Sequence, residues 1–95
     1  MFKNQRYVTR GVNVRIPLIT QIMMWGMIDS LQEVEPDYLQ IFCLSAENGK
    51  QKIVHEQEQP EYKKEYVLSE IEPVNEKVYV IDSEEYSTML LAEEY

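Results

Sequence analysis

The pair Asn48-Gly49, set between YLQIFCLSA and QKIVHEQ, constrains this chain more than any other feature. A two-residue hairpin turn needs positive φ at both central positions, and Asn-Gly adopts that geometry at little cost. Tyr38 to Ala46, rich in aromatic and branched residues, is therefore expected as one strand. Gln51 to Gln57 is its antiparallel partner. The turn also sets the register: Glu47 stands opposite Lys50, His55 opposite Phe42 and Cys43 opposite Val54. Because side chains alternate between faces, Phe42, Leu44, Ile53 and His55 share one side of the sheet. Leu39, Ile41, Cys43 and Val54 share the other. Both sides carry large apolar residues, so both need at least partial cover. Two helices could take one side each, or both could lie on one side and leave the other to a subunit contact.

This register also decides a question of chemistry. Cys43 and His55 are the only cysteine and histidine in the chain, and a Cys-His pair is a recognised nucleophile arrangement. Here they point to opposite sides of the sheet, so they form no dyad. Cys43 reads as a small apolar residue and His55 as a cross-strand neighbour of Phe42. One cysteine allows no internal disulfide and suits a reducing, cytoplasmic compartment. Neither a histidine pair nor a calcium-loop pattern offers a metal site. With three scattered glycines there is no phosphate-binding loop, and no nucleophile elbow is present. No catalytic, cofactor or metal residues are assigned, and the chain is not read as an enzyme.

Around the hairpin, Gln5 to Thr9 reads as a first strand, broken at Gly11, with VNVRI continuing as an extended segment. Pro17 suits the first turn of a helix that should run to about Val34 and stop before Pro36. Glu65 to Ser69 is a short strand and Lys77 to Ile81 a strong one, apolar on both sides. Asp82 with Glu85 matches a capping box and predicts a C-terminal helix with Tyr86, Met89 and Leu90 on one face. The expected fold is one α+β domain over residues 1–95, in the order β-α-β-β-(β)-β-α. Its sheet is mostly antiparallel, with four to five strands.

The expected long helix carries a broad apolar half centred near Met27, suited to packing on a sheet. Nearly opposite lies a second row, Leu18, Ile22 and Trp25, continued by Asp29. A tryptophan on that side needs cover, which the C-terminal helix, a second copy of the chain or a foreign partner could supply. The apolar run from Leu18 to Ile28 is shorter than the about 20 residues that cross a bilayer, and no small-residue cleavage site follows it. It reads as a core helix with a second contact face.

The formal net charge is −8. All 17 acids lie after Ile28, whereas Lys3, Arg6, Arg10 and Arg15 precede it. That balance argues against nucleic-acid binding, which depends on neutralising phosphates. Three function classes remain. A protein-interaction or regulatory module, either self-associating or binding a partner, would use Leu18, Ile22, Trp25 and Asp29 with Arg6, Arg10 and Arg15 as a charged rim. An acidic mimic of nucleic acid would use Glu56, Glu58, Glu84 and Glu85. A small-ligand binder or enzyme would need a pocket that no motif reveals. Seven tyrosines favour contact surfaces.

The opening Arg6-Tyr7-Val8-Thr9-Arg10-Gly11, the Ile16-Pro17 before the helix, Trp25 within it and Tyr38-Leu39-Gln40 in the following strand resemble a family of small proteins from low-GC Gram-positive bacteria. It is known as the staphylococcal-type domain of unknown function 960. The resemblance spans the whole chain and is clearest from Arg6 to Ser45. It implies a compact bacterial cytoplasmic protein and brings no activity, cofactor or site residue with it.

Overall fold

The computed structural model describes residues 1–95. Six strands form a single mixed sheet in the order β1-β6-β5-β2-β3-β4. They are β1 (Gln5–Val8), β2 (Leu39–Glu47), β3 (Lys50–Gln57), β4 (Tyr62–Leu68), β5 (Glu76–Asp82) and β6 (Tyr86–Leu91). Two helices, α1 (Arg10–Arg15) and α2 (Leu18–Asp29), follow β1, and a 3-10 turn spans Ala92–Glu94. Every neighbouring pair is antiparallel except β1 and β6, which run parallel.

The Asn48-Gly49 turn holds φ of 53° and 75° at its two central residues. Its register pairs Glu47 with Lys50, Phe42 with His55 and Cys43 with Val54, as the turn chemistry requires. Other expectations fail, and each failure has a local cause. The architecture is mostly β, with six strands and two short helices in place of four to five strands, one long helix and a C-terminal helix.

Asp82 does accept a backbone N–H two residues on, from Glu84 at 3.1 Å. That bond closes a turn, with Glu84 at φ 75°, rather than starting a helix. Helix caps and Asx turns use the same short acidic side chain, and here the chain continues as β6. Met89 and Leu91 then point inward while Tyr86, Thr88 and Leu90 point outward. Val12 to Arg15 is helical, not extended, with Ile16 as its extended C-cap: the Thr9 hydroxyl accepts from Val12 N–H at 3.3 Å, and Val12 is fully buried. Burial of one face outweighs the β preference of branched residues. At its far end α2 stops at Asp29, five residues short of the expected limit, where the Ser30 hydroxyl donates to the Gly26 carbonyl at 2.8 Å.

One core fills the space between the sheet and both helices. Val12 and Ile16 from the α1 region and Met24, Met27 and Ile28 from α2 pack on Phe42, Leu44, Ile53, Val78, Val80, Met89 and Leu91. Phe2 joins them with only 1% exposure. It is held by its N–H donating to Asp82 Oδ2 at 3.2 Å. Both helices thus lie on the same side of the sheet, and none lies on the other.

Candidate functional site

Two surfaces carry apolar side chains that stay at least partly exposed. The first is the α2 row read from the sequence. Leu18 is 68% and Ile22 54% exposed. Trp25 is half-buried, and its cover is the Arg6 guanidinium, 4.7 Å above the ring. Arg6 is tied down by an ion pair to Asp29 and by a 3.0 Å bond from its Nη2 to the Phe2 carbonyl. Trp25, Asp29 and Arg6 therefore form one closed cluster, with no helix from the C-terminus over it. Arg15 lies elsewhere, 2.6 Å from Glu93 and 3.7 Å from Glu76. The Glu93 carboxylate raises the Arg15 pKa further. Arg10 is exposed at the start of α1. Of the seven residues singled out, only Leu18 and Ile22 present open apolar surface.

The second surface is the outer face of the sheet. Register places Leu39 beside Ile81 and Ile41 beside Tyr79 on adjoining β2 and β5. Leu90 on β6 pairs with Tyr79, so the strip continues across the next strand. It ends in the edge-to-face pair of Tyr7 and Tyr86, ring centroids 5.8 Å apart. These side chains are half-exposed or open, whereas their neighbours on the helix side are buried. Charged groups ring the strip: Lys52 bridges Glu47 at 3.4 Å and Glu65 at 3.1 Å, and Lys77 lies 5.7 Å from the Tyr79 ring centre. Sequence reading identified the β2, β3 and β5 part of this face. It missed the β6 part, because Tyr86 to Leu91 was read with helical spacing. The alternation of Ser87, Met89 and Leu91 with Tyr86, Thr88 and Leu90 was the signal that could have revealed it.

The buried polar groups on the helix side hold loops. Gln57 donates to the carbonyls of Glu35 at 2.9 Å and Pro60 at 2.8 Å, pinning the segment after α2 to the β3–β4 turn. Gln51 exchanges bonds with Val74, accepting its N–H at 2.7 Å. Gln40 donates to Asp37 O and to Gln57 Oε1, which leaves its own Oε1 to accept from His55 Nε2 at 2.6 Å. His55 is thereby the Nε2–H tautomer. Its Nδ1 is buried without a partner. Burial drives the His55 pKa down to about 4, opposed by the Glu33 carboxylate. Burial likewise pushes the Tyr62 hydroxyl up to about 12. Phe42 stacks on the His55 ring at 4.4 Å. Cys43 lies on the other face, so the arrangement has no nucleophile beside its base.

The four glutamates considered as an acidic mimic divide into two groups. Glu56 and Glu58 sit at the β3–β4 end, and Glu84 and Glu85 in the β5–β6 turn, with β2 between the strands. No group of three His, Cys, Asp or Glu side chains gathers with metal-ligand spacing. No helix is long and apolar enough to cross a membrane.

A family model described as "Staphylococcal protein of unknown function (DUF960)" matches residues 5–94. The chain belongs to this family. The match runs from the first residue of β1 to the 3-10 turn, so it takes in all six strands. Among solved structures, a protein of unknown function from Enterococcus faecalis is similar, with a TM-score of 0.86 and 23% identity. The alignment covers 97% of this chain and 91% of that one. At that identity the likeness concerns the fold. The comparison with curated proteins returns no match.

Proposed function

We propose that this member of the domain of unknown function 960 family is a non-enzymatic interaction module that self-associates through the open face of its sheet. The observation that carries the reading is the one-sided placement of α1 and α2. It leaves Leu39, Ile41, Tyr79, Ile81 and Leu90 as a continuous, half-exposed apolar strip with no helix over it, touched by the Tyr95 ring, whose centroid lies 5.6 Å from that of Tyr79. The size of the whole outer face, strip and charged margin together, supports a second copy as the occupant. Six strands at about 4.8 Å spacing and roughly 20 Å of strand length present about 600 Å² per copy. Two copies bury roughly 1,200 Å², the lower end of a specific interface. The ring of charges around the strip suits a partner with the same pattern: Lys52, Lys63 and Lys77 alternate with Glu47, Glu56 and Glu65 on a chain of net charge −8. The face is nearly neutral where the remainder is strongly acidic, so two copies meet there with the least repulsion.

The α2 row, with Leu18 and Ile22 open and Arg6, Trp25 and Asp29 beside them, is a second contact region in this proposal, with Arg15 committed to Glu76 and Glu93 rather than to the row. The free Cys43 suits a reducing cytoplasm as the module's location. Sedimentation equilibrium over a concentration series tests the reading, with Ile41→Glu placing a charge at the centre of the strip. The wild type should sediment as a dimer and Ile41→Glu as a folded monomer. A wild type that stays monomeric at the highest concentrations would sink the self-association.

A further inference from the structure

A groove runs between α2 and the free edge of β4, on the helix side and thus across the sheet from the proposed self-association face. Ile22, Met23, Gly26 and Met27 form its α2 wall, and Lys64 and Tyr66 form its β4 wall. The cavity volume is about 510 Å³. β4 is the last strand of the sheet and pairs only with β3. Alternate residues along it therefore direct N–H and C=O groups outward with no protein partner. Register turns Lys64 and Tyr66 toward the helix side, opposite His55 and Ile53.

Two features set the shape and charge of the groove. Gly26 sits mid-helix, where glycine is a poor helix former. A Cβ built there meets nothing within 4 Å, so packing does not demand glycine. Its effect is to keep the middle of the groove empty between Ile22 and Tyr66. Lys64 sits at the lip with its ammonium 5.4 Å from the Tyr66 ring centre. No carboxylate lies within ion-pair distance of it. Glu33 feels its charge only from farther away. On a chain with 17 acids and nine bases, an uncommitted lysine beside an apolar groove is complementary to an acidic ligand.

We propose that this groove binds an extended segment of a partner protein as an added strand on β4. Alternate apolar side chains of the segment enter the groove, and an acidic side chain pairs with Lys64. Strand addition supplies backbone hydrogen bonds, and the groove reads every second residue. Lys64 lies in the middle of Tyr62–Leu68, so the paired carboxylate belongs to an internal Asp or Glu of the segment rather than to a chain end.

The test is selection of a displayed random dodecapeptide library on the full chain, followed by titration of fluorescein-labelled winners. The expected winners share alternating apolar residues around an Asp or Glu. Gly26→Met fills the groove and should weaken them about tenfold or more. Gly26→Ala should leave binding near wild type. Lys64→Glu should weaken it about tenfold, and Ile41→Glu on the far face should not. Amide spectra establish that each variant is folded. Selection that enriches no peptide, or winners that bind Gly26→Met as tightly as wild type, would overturn the proposal. So would wild-type self-association that Gly26→Met abolishes, which would assign the β4 edge to a second copy.

Discussion

His55 makes the stability of this fold sensitive to pH between neutrality and about pH 4. The ring is fully buried between Phe42 and Tyr62, with Nε2–H committed to Gln40 and no partner at Nδ1. Around it, the Glu33 carboxylate favours the charged ring, and Lys64 is the cross-strand neighbour on β4. Burial dominates and brings the folded-state pKa from 6.5 to about 4. Between these values the unfolded chain binds a proton that the native state excludes. Stability from the neutral ring is therefore complete above pH 6.5 and is lost as pH falls toward 4. At about 1.4 kcal/mol per pKa unit, roughly 2 kcal/mol disappears between pH 7 and pH 5, and about 3 kcal/mol by pH 4. For a domain of this size that is a large part of the whole margin. Urea unfolding followed by far-UV circular dichroism at pH 7, 6 and 5 measures it. His55→Gln starts from lower stability at pH 7, because ring packing is lost, but its curve should be nearly flat over the same range. Equal pH slopes in the two proteins would refute the reasoning, as would an NMR titration placing His55 near its ordinary value.

Arg6→Ala uncovers the Trp25 ring and breaks the pair with Asp29. Tryptophan emission should shift to the red while stability falls by no more than about 1 kcal/mol, since both partners are partly exposed; unchanged emission would remove Arg6 as the cover. Gln57→Ala leaves the carbonyls of Glu35 and Pro60 without their buried donor and frees Asp37 N–H. A loss of about 2–4 kcal/mol is expected in urea unfolding. Faster amide exchange should be confined to the segment after α2 and the β3–β4 turn, and uniform exchange would count against Gln57 as the anchor.

The hairpin was legible to the residue because its information is local: Asn-Gly chooses one turn, and that turn fixes every pairing from Glu47–Lys50 to Ile41–Glu56. The C-terminus was misread because a single local signal serves two outcomes. Asp82 followed by Glu85 looks like a helix start, and the difference lies in β5 and β1, which offer Tyr86–Leu91 two strands to pair with. The parallel pairing of β1 with β6 joins residues some 80 positions apart, and no short-range pattern encodes it. Phe2 was passed over for the same reason, since its burial depends on Asp82 at the other end of the chain. In the candidate surface, Trp25 is half-buried and packs against the margin of the core. Its cover by Arg6 came from β1, on a contact 19 residues away in sequence that helical spacing cannot reveal.

Apolar residues for both sides of the sheet are legible in the sequence. Leu39, Ile41, Cys43 and Val54 alternate with Gln40, Phe42, Leu44 and Ile53 along the two strands, so each side gains apolar area at the same rate. A chain in which α1 and α2 together hold only 18 residues can roof one side of a six-stranded sheet and no more. Fully antiparallel sheets often resolve this by making the outer residues polar. This sheet does so at its β3–β4 margin, with Lys52, Glu56, Lys63 and Glu65, and not at its centre, where Ile41, Tyr79 and Leu90 lie side by side. Centre and margin therefore differ in chemistry: the margin is charged and the centre apolar. In the self-association proposed above, an apolar centre within a charged rim accounts for both compositions with one cause.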